Sequence, residues 1–309
     1  MTAALGFLIV GTPRSGTTLV QRLASEHPDC SVPPETHFFV HLYPRLVRSG
    51  VRFPLDDRAI RKCLAFYAML PTSAGLSLRP DELLRNSPGA GARPLSLFRA
   101  VVQQLASPSQ RLGEKTPDHL LWWKPLTRAD ERLQFVWVVR DPRGVVASSL
   151  KVPWGMTSPT LLAQRWRLDI GALREAKRVL GPDRLSVVRF EDVVRDPEGQ
   201  RTSIWRFLRL PTGVASRRVD ESLLRQRREE WKGLVAEPIS ETRSAAWREE
   251  LPVKTSHLVE AICRREMVEL GYDTRSPTRL GLTQADVLKA LHHRVQRMRK
   301  QAWIDRQEL

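Results

Sequence analysis

Cysteine is scarce in this chain. Cys30, Cys63 and Cys263 stand far apart, with no CxxC pair and no cysteine–histidine cluster, which argues against a zinc site of ordinary spacing or a disulfide scaffold. Reduced thiols are expected, and no metal ligand set. Long apolar runs are missing too: the stretch from Leu5 to Val10 has no basic residues ahead of it and is too short for a signal or membrane helix. That predicts a soluble cytoplasmic protein. Acidic residues are in deficit, 34 against 50 lysines and arginines, for a formal net charge of +16. Such a surplus suits a nucleotide, an acidic acceptor, nucleic acid or a membrane surface, yet an arginine-heavy, lysine-poor composition also follows from GC-rich coding. Charge therefore chooses nothing by itself. Internal repeats, groove-reading motifs and base-stacking motifs are absent, which leaves no specific nucleic-acid partner. With 309 residues, 41% of them hydrophobic, a sizeable core is available to one large domain or two small ones.

What is present is a repeated local order. GFLIVG at 6–11 reads as a buried strand, a Gly/Pro/Ser turn follows, and TTLVQRLASEHP from Thr17 places Leu19, Val20 and Leu23 on one helical face before Pro28 stops it. LQFVWVV at 133–139 repeats the pattern, with RDPRG and then a helical VVASSL behind it. LSVVRF at 185–190 supplies a third strand, and EKTPDH at 114–119 lies near a further strand end. Strands alternating with helices predict an α/β fold, a central parallel sheet flanked by helices in three layers, with ligands beyond the carboxyl ends of the strands. Residues 50–110 read as short helices that cap the site. The arginine-rich stretch 195–232 reads as a helical segment with a solvated face.

Gly11-Thr12-Pro13-Arg14-Ser15-Gly16-Thr17-Thr18 joins the first strand to the first helix. Backbone N–H groups and the helix dipole at such a junction favour a phosphate, so this is a P-loop-type element. One residue type is again lacking: Thr17 stands where ATP and GTP loops carry their lysine. Arg14 supplies a guanidinium that can fork onto phosphate or sulfate oxygens without a metal. An ATP-dependent kinase is the alternative reading, and the missing lysine weighs against it.

TPRSGTT, followed by HPD and PPET, resembles the PAPS-dependent sulfotransferases, nearest to the tyrosylprotein and bacterial branches, and VVRDPRGVVASSL resembles that family's second anion site. The likeness extends through VRFEDVVRDP at 188–197, with Phe190 in place of a tyrosine, and LGYD at 270–273. It covers residues 5 to about 275, taken as a 1–275 sulfotransferase domain, with 276–309 as a C-terminal basic helical extension. The resemblance implies transfer of a sulfuryl group from 3′-phosphoadenosine 5′-phosphosulfate (PAPS) to a hydroxyl. It also implies that Arg14, Ser15, Gly16, Thr17 and Thr18 hold the 5′-phosphosulfate and that Arg140 and Ser148, eight residues apart, hold the 3′-phosphate.

Three catalytic roles follow from the same likeness. Glu35, 21 residues after Arg14, matches the general base of the tyrosylprotein branch; Val32, Pro33, Phe38 and Phe39 around it would bury it. Lys115 and Arg14 would offset charge on the leaving oxygen. His37 and His119 compete as bases, although Pro117 occupies the second place after Lys115, where the cytosolic branch has its histidine. In PISETRSAAWREEL, Ser244 is the candidate donor contact and Ser240 its substitute. The acceptor is open among sugar, lipid, peptide tyrosine and small natural product, and oligomeric state is open as well. From Thr283, an expected N-cap, Val287, Leu288 and Leu291 with the HHRVQRMRK run read as an amphipathic helix that either packs on the domain or contacts a membrane surface or partner.

Overall fold

The computed structural model describes residues 5–70, 73, 76, 78, 79, 81–83, 92–152, 156–220, 239–274 and 284–309. Its N-terminal apolar run is strand β1 (Leu5–Gly11). Because side chains alternate along a strand, Leu8 and Val10 join one core while Phe7 and Ile9 join another on the opposite face, and a register shift between Leu5 and Phe7 puts Leu5 with the first. β4 (Gln134–Val139) does the same, with Phe135, Trp137 and Val139 on the first side and Val136 and Val138 on the second. Strands covered on both faces belong in a parallel sheet. Five parallel strands form it in the order β2 (Cys30–Ser31), β3 (Arg111–Lys115), β1, β4, β5 (Leu185–Arg189).

Helices fill the outer layers. On one face lie α1 (Thr17–Ser25) and, later in the chain, α9 (Pro197–Phe207), whose Val20, Leu23, Ile204 and Trp205 close the smaller core. The larger core takes α2 (Tyr43–Arg48), α3 (Asp57–Met69), α4 (Pro94–Leu105), α5 (Trp123–Ala129), α6 (Pro142–Leu150) and α7 (Pro159–Leu180). After β5 come α8 (Phe190–Arg195), the short α10 (Thr242–Ala245) and α11 (Trp247–Glu250), α12 (Val253–Glu269) and α13 (Gln284–Asp305). The three-layer α/β arrangement is the one expected. The chain leaves β1 toward the β2 edge and leaves β4 toward β5 at the other edge, so the switch point, where ligands bind, lies at the ends of β1 and β4.

Several sequence expectations need adjustment. Phe190 starts α8 and does not end β5. Among the described residues between 50 and 110 are helices of 13 and 12 residues whose apolar faces are core, longer than the short pieces expected. The arginine-rich helix stops at Phe207, because Arg209 turns left-handed (φ 59°) ahead of Pro211; residues 221–238 of that stretch lie outside the described residues. So does Thr283, the expected cap of the tail helix. The three cysteines are buried and unpaired, and burial pushes the Cys30 thiol up to about 12. Among the described residues, no helix is long and apolar enough to cross a membrane.

Candidate active site

The loop after β1 is held by its own atoms. Ser15 donates its backbone N–H to Thr12 O at 3.1 Å and its hydroxyl to the same carbonyl, so the hydroxyl closes the turn. Arg14 (φ 73°) and Gly16 (φ 94°) are both left-handed, a curvature that turns successive N–H groups inward. Gly16 is needed for space as well, since a Cβ there would meet Phe190 Cδ2 at 2.4 Å. It caps α1 without any side-chain hydrogen bond. The first amides of α1, including those of Thr17 and Thr18, are thereby left to an anion.

Arg140, directly after β4, brings the second motif to the first. Its Nη1 donates to Arg14 O at 3.2 Å and its Nη2 to Arg243 O at 3.2 Å, while its guanidinium lies 4.2 Å above the Phe190 ring. Gly144 makes room for it; a Cβ there would come within 2.8 Å of Arg140 Nε. That Nε is buried and has no hydrogen-bond partner, so it retains a donor. Burial lowers the Arg140 pKa, with Arg14 adding to the effect and Glu191 opposing it. Ser148, two turns along α6, accepts from Arg14 Nε at 3.0 Å. The two motifs read as anion sites therefore abut, and their cationic and hydroxyl side chains are of the kind that would hold a bisphosphorylated nucleotide. A cavity bounded by Pro13, Arg14, Val145, Val152, Leu162 and Arg165 opens beside the loop.

Asp141 does not pair with Arg140. Its carboxylate caps α6 through Arg143 N and holds the Arg143 side chain, which also reaches Glu260 and Asp273 O and stacks on Trp247 at 3.9 Å. Asp141 N donates to Glu191 at 2.9 Å, and Tyr272 OH donates to the other Glu191 oxygen at 3.0 Å. Burial raises the Glu191 pKa, with hydrogen bonding and Arg140 opposing. This buried scaffold escaped the sequence reading, which had only the RDPR, FED and LGYD strings to suggest it. Ser244 lies in α10 and its hydroxyl donates to Glu241 O at 2.7 Å, while Ser240 shares a 2.7 Å contact with Thr242. Arg243 O brings that segment to Arg140.

Beneath the loop lies the carboxylate proposed from sequence. Glu35 is 7% exposed and forms an ion pair with Lys115, which is fully buried at the end of β3 and donates to Thr18 Oγ1 at 3.2 Å. His37 Nε2 lies 3.2 Å from the other Glu35 oxygen. Arg14, Glu35 and Lys115 thus occupy neighbouring strand ends; Ile9 of β1 pairs in register with Lys115.

His119 is elsewhere engaged. Its Nδ1 lies 2.9 Å from Glu114 Oε2, and its Nε2 accepts from Phe39 N at 3.3 Å, so both ring nitrogens are used within a fully buried cluster. Glu114 Oε1 accepts from Thr36 N, Thr36 Oγ1 and Thr116 Oγ1 at 3.2, 2.7 and 2.6 Å. Thr116 Oγ1 accepts from His37 N at 3.1 Å, and Tyr67 OH donates to Thr36 O. This clamp fixes the segment carrying Glu35 and His37; His37 itself turns left-handed (φ 50°) into a π-helical turn at Phe38–Leu42.

Residues 7–213 match the model of the sulfotransferase family. A protein-tyrosine sulfotransferase of Drosophila melanogaster is 27% identical over 208 residues, 66% of this chain and 38% of the fly protein, so the match spans well under half of that relative. The nodulation protein NoeE of Sinorhizobium fredii is 27% identical over 323 aligned positions, 96% of this chain and 73% of that one. Among solved structures, the sulfotransferase domain of the curacin biosynthetic pathway superposes with a TM-score of 0.56 at 17% identity, over 89% of this chain and all of that one. The sulfotransferase domain of the Synechococcus PCC 7002 olefin synthase gives 0.53 at 21%, over 89% and 97%. At these identities the superpositions speak to the fold.

Proposed function

This chain belongs to the sulfotransferase family, and from that premise we propose that it transfers a sulfuryl group from PAPS to a hydroxyl acceptor, with Glu35 as general base. The observation that carries the reading is the Thr18–Lys115–Glu35–His37 connection directly under the phosphate loop. The donor, when bound, supplies the activated sulfuryl group and a bisphosphorylated leaving group. Arg14, Gly16, Thr17 and Thr18 cradle its 5′ end through loop amides and a guanidinium. Ser15, whose amide and hydroxyl are both bound to Thr12 O, holds the turn that presents those amides to the donor. Arg140, with Ser148 and the Ser244 segment, holds the 3′-phosphate.

The Lys115 ion pair favours the carboxylate form of Glu35, which is the form that accepts the acceptor's hydroxyl proton. Lys115 and Arg14 offset negative charge gathering on the leaving oxygen, in a buried setting where such charge stabilisation is strong. His37 steadies the second Glu35 oxygen. A kinase reading has no support here, since Thr17 cannot replace the loop lysine.

Calorimetric titration with adenosine 3′,5′-bisphosphate (PAP) and, separately, with ATP and magnesium tests the assignment. PAP should bind the more tightly, and Arg140→Ala should weaken it about ten- to a hundredfold by removing a charge-assisted contact. Preference for ATP, or an Arg140→Ala protein with undiminished PAP affinity, would overturn it.

A further inference from the structure

The tail helix α13 uses only one of its sides to hold the protein. Ala290, His293, Arg297 and Gln301 are partly covered and Ile304 is fully buried, a spacing of three, four, four and three that marks a single face. Arg297 pairs there with Asp169, Gln301 Nε2 donates to Leu121 O at 2.8 Å, Lys124 meets Asp305 at 3.3 Å, and Trp303 packs on Trp122 at 5.9 Å. The docked face is thus accounted for.

A different face is apolar and uncovered. Val287, Leu288, Leu291, Val295 and Met298, spaced one, three, four and three, are all exposed, Leu288 at 66% and Met298 at 58%. They form a stripe about 16 Å long at 1.5 Å per residue. Exposed large apolar residues elsewhere among the described residues, such as Val179 and Val253, are not gathered on one face in this way. A gathered stripe marks an interaction surface, whereas single ones do not.

Charge selects what covers it. Arg294 lies along one border of the stripe, with His292 and Arg299 along the other, and between Val287 and Ile304 there are five cationic side chains and no carboxylate. A second copy of the helix would bring like charges together, whereas an anionic surface would pair with both borders. The stripe is purely aliphatic, without the Trp or Tyr anchors that dominate protein–protein hot spots, and Trp303 is turned inward. We propose that α13 lies on the surface of an anionic lipid bilayer, its Val/Leu/Met stripe entering the interface and Arg294 and Arg299 contacting acidic headgroups, while Arg297 and Ile304 keep the helix fixed to the domain. This holds independently of the transfer reaction.

Co-sedimentation of the full chain with phosphatidylcholine vesicles, with and without phosphatidylserine at about one part in four, tests it. Binding should require the acidic lipid and fall with added salt. Leu288→Gln/Leu291→Gln/Val295→Gln should reduce binding at least about tenfold with an unchanged thermal unfolding midpoint, and Arg294→Gln/Arg299→Gln about thirtyfold. Wild-type protein that stays in the supernatant, or variants that bind as well as wild type, would overturn the proposal. So would a dimer in sedimentation equilibrium that the triple variant abolishes, which would assign the stripe to a second copy.

Discussion

Glu35 and His119 show how two residues of similar promise in the sequence are separated by their partners. His119 spends one ring nitrogen on Glu114 and the other on the Phe39 amide, so it has no lone pair to offer an acceptor. Glu35 instead sits between Lys115 and His37 at the mouth of the phosphate loop. Replacing Glu35 by Gln keeps the shape and removes the basic oxygen, so turnover should fall about 10²- to 10⁴-fold, the usual contribution of a general base, with PAP affinity retained. The same change leaves the Lys115 ammonium without its carboxylate, which costs about 3–5 kcal/mol when a buried pair loses one member. Rates are therefore compared below the variant's unfolding temperature, and loss of PAP binding in the folded variant would reassign Glu35 to donor positioning.

At the scale of elements, Glu114 ties β3 to the loop that carries the proposed base. Burial would raise its pKa, but His119 and the hydrogen bonds from His119, Thr116 and Thr36 outweigh burial and hold it below the ordinary carboxylate range. A carboxylate lowered on folding contributes stability that is complete above its unfolded value, about 4.3, and is lost as pH falls through the lower folded one. Thermal unfolding across that acid range should show wild type losing stability and Glu114→Gln, already weaker at neutral pH, losing less; parallel curves would remove Glu114 from the acid transition. β3 was harder to read in advance than β1 or β4, because RLGEK buries two charges: Lys115, whose carboxylate partner Glu35 lies 80 residues away, and Glu114, which also accepts from Thr36 N 78 residues away. β1, β4 and β5 were legible because both faces are apolar. Arg14, Glu35, Lys115 and Arg140 were singled out through motif resemblance, whereas Arg143, Glu191 and Glu260 were not, since nothing local in RDPR or FED announces a buried network joined across 117 residues. The tail helix was legible from its period, but its docked side depends on Asp169, 128 residues from Arg297.

Across the whole molecule, the sheet divides the interior into two cores, and the larger one runs up to the nucleotide site through Trp166. This side chain is fully buried in α7, and its Nε1 donates to Arg140 O at 2.9 Å, so one residue fills the core and fixes the backbone of the proposed 3′-phosphate ligand. The two tasks can be separated by substitution. Trp166→Ala opens a cavity and should cost about 3–5 kcal/mol, a large part of the 5–15 kcal/mol by which domains are ordinarily stable. Trp166→Phe keeps most of the apolar volume and removes the N–H, leaving Arg140 O without that donor at a cost of about 1–3 kcal/mol. In urea unfolding the alanine variant should therefore show much the lower midpoint, while PAP titration should show the phenylalanine variant also weakened, because the released Arg140 backbone no longer aims the guanidinium. A phenylalanine variant with wild-type PAP affinity would mean that the Arg14 and Arg243 carbonyls alone hold Arg140 in place, and that the core and the nucleotide site are mechanically independent.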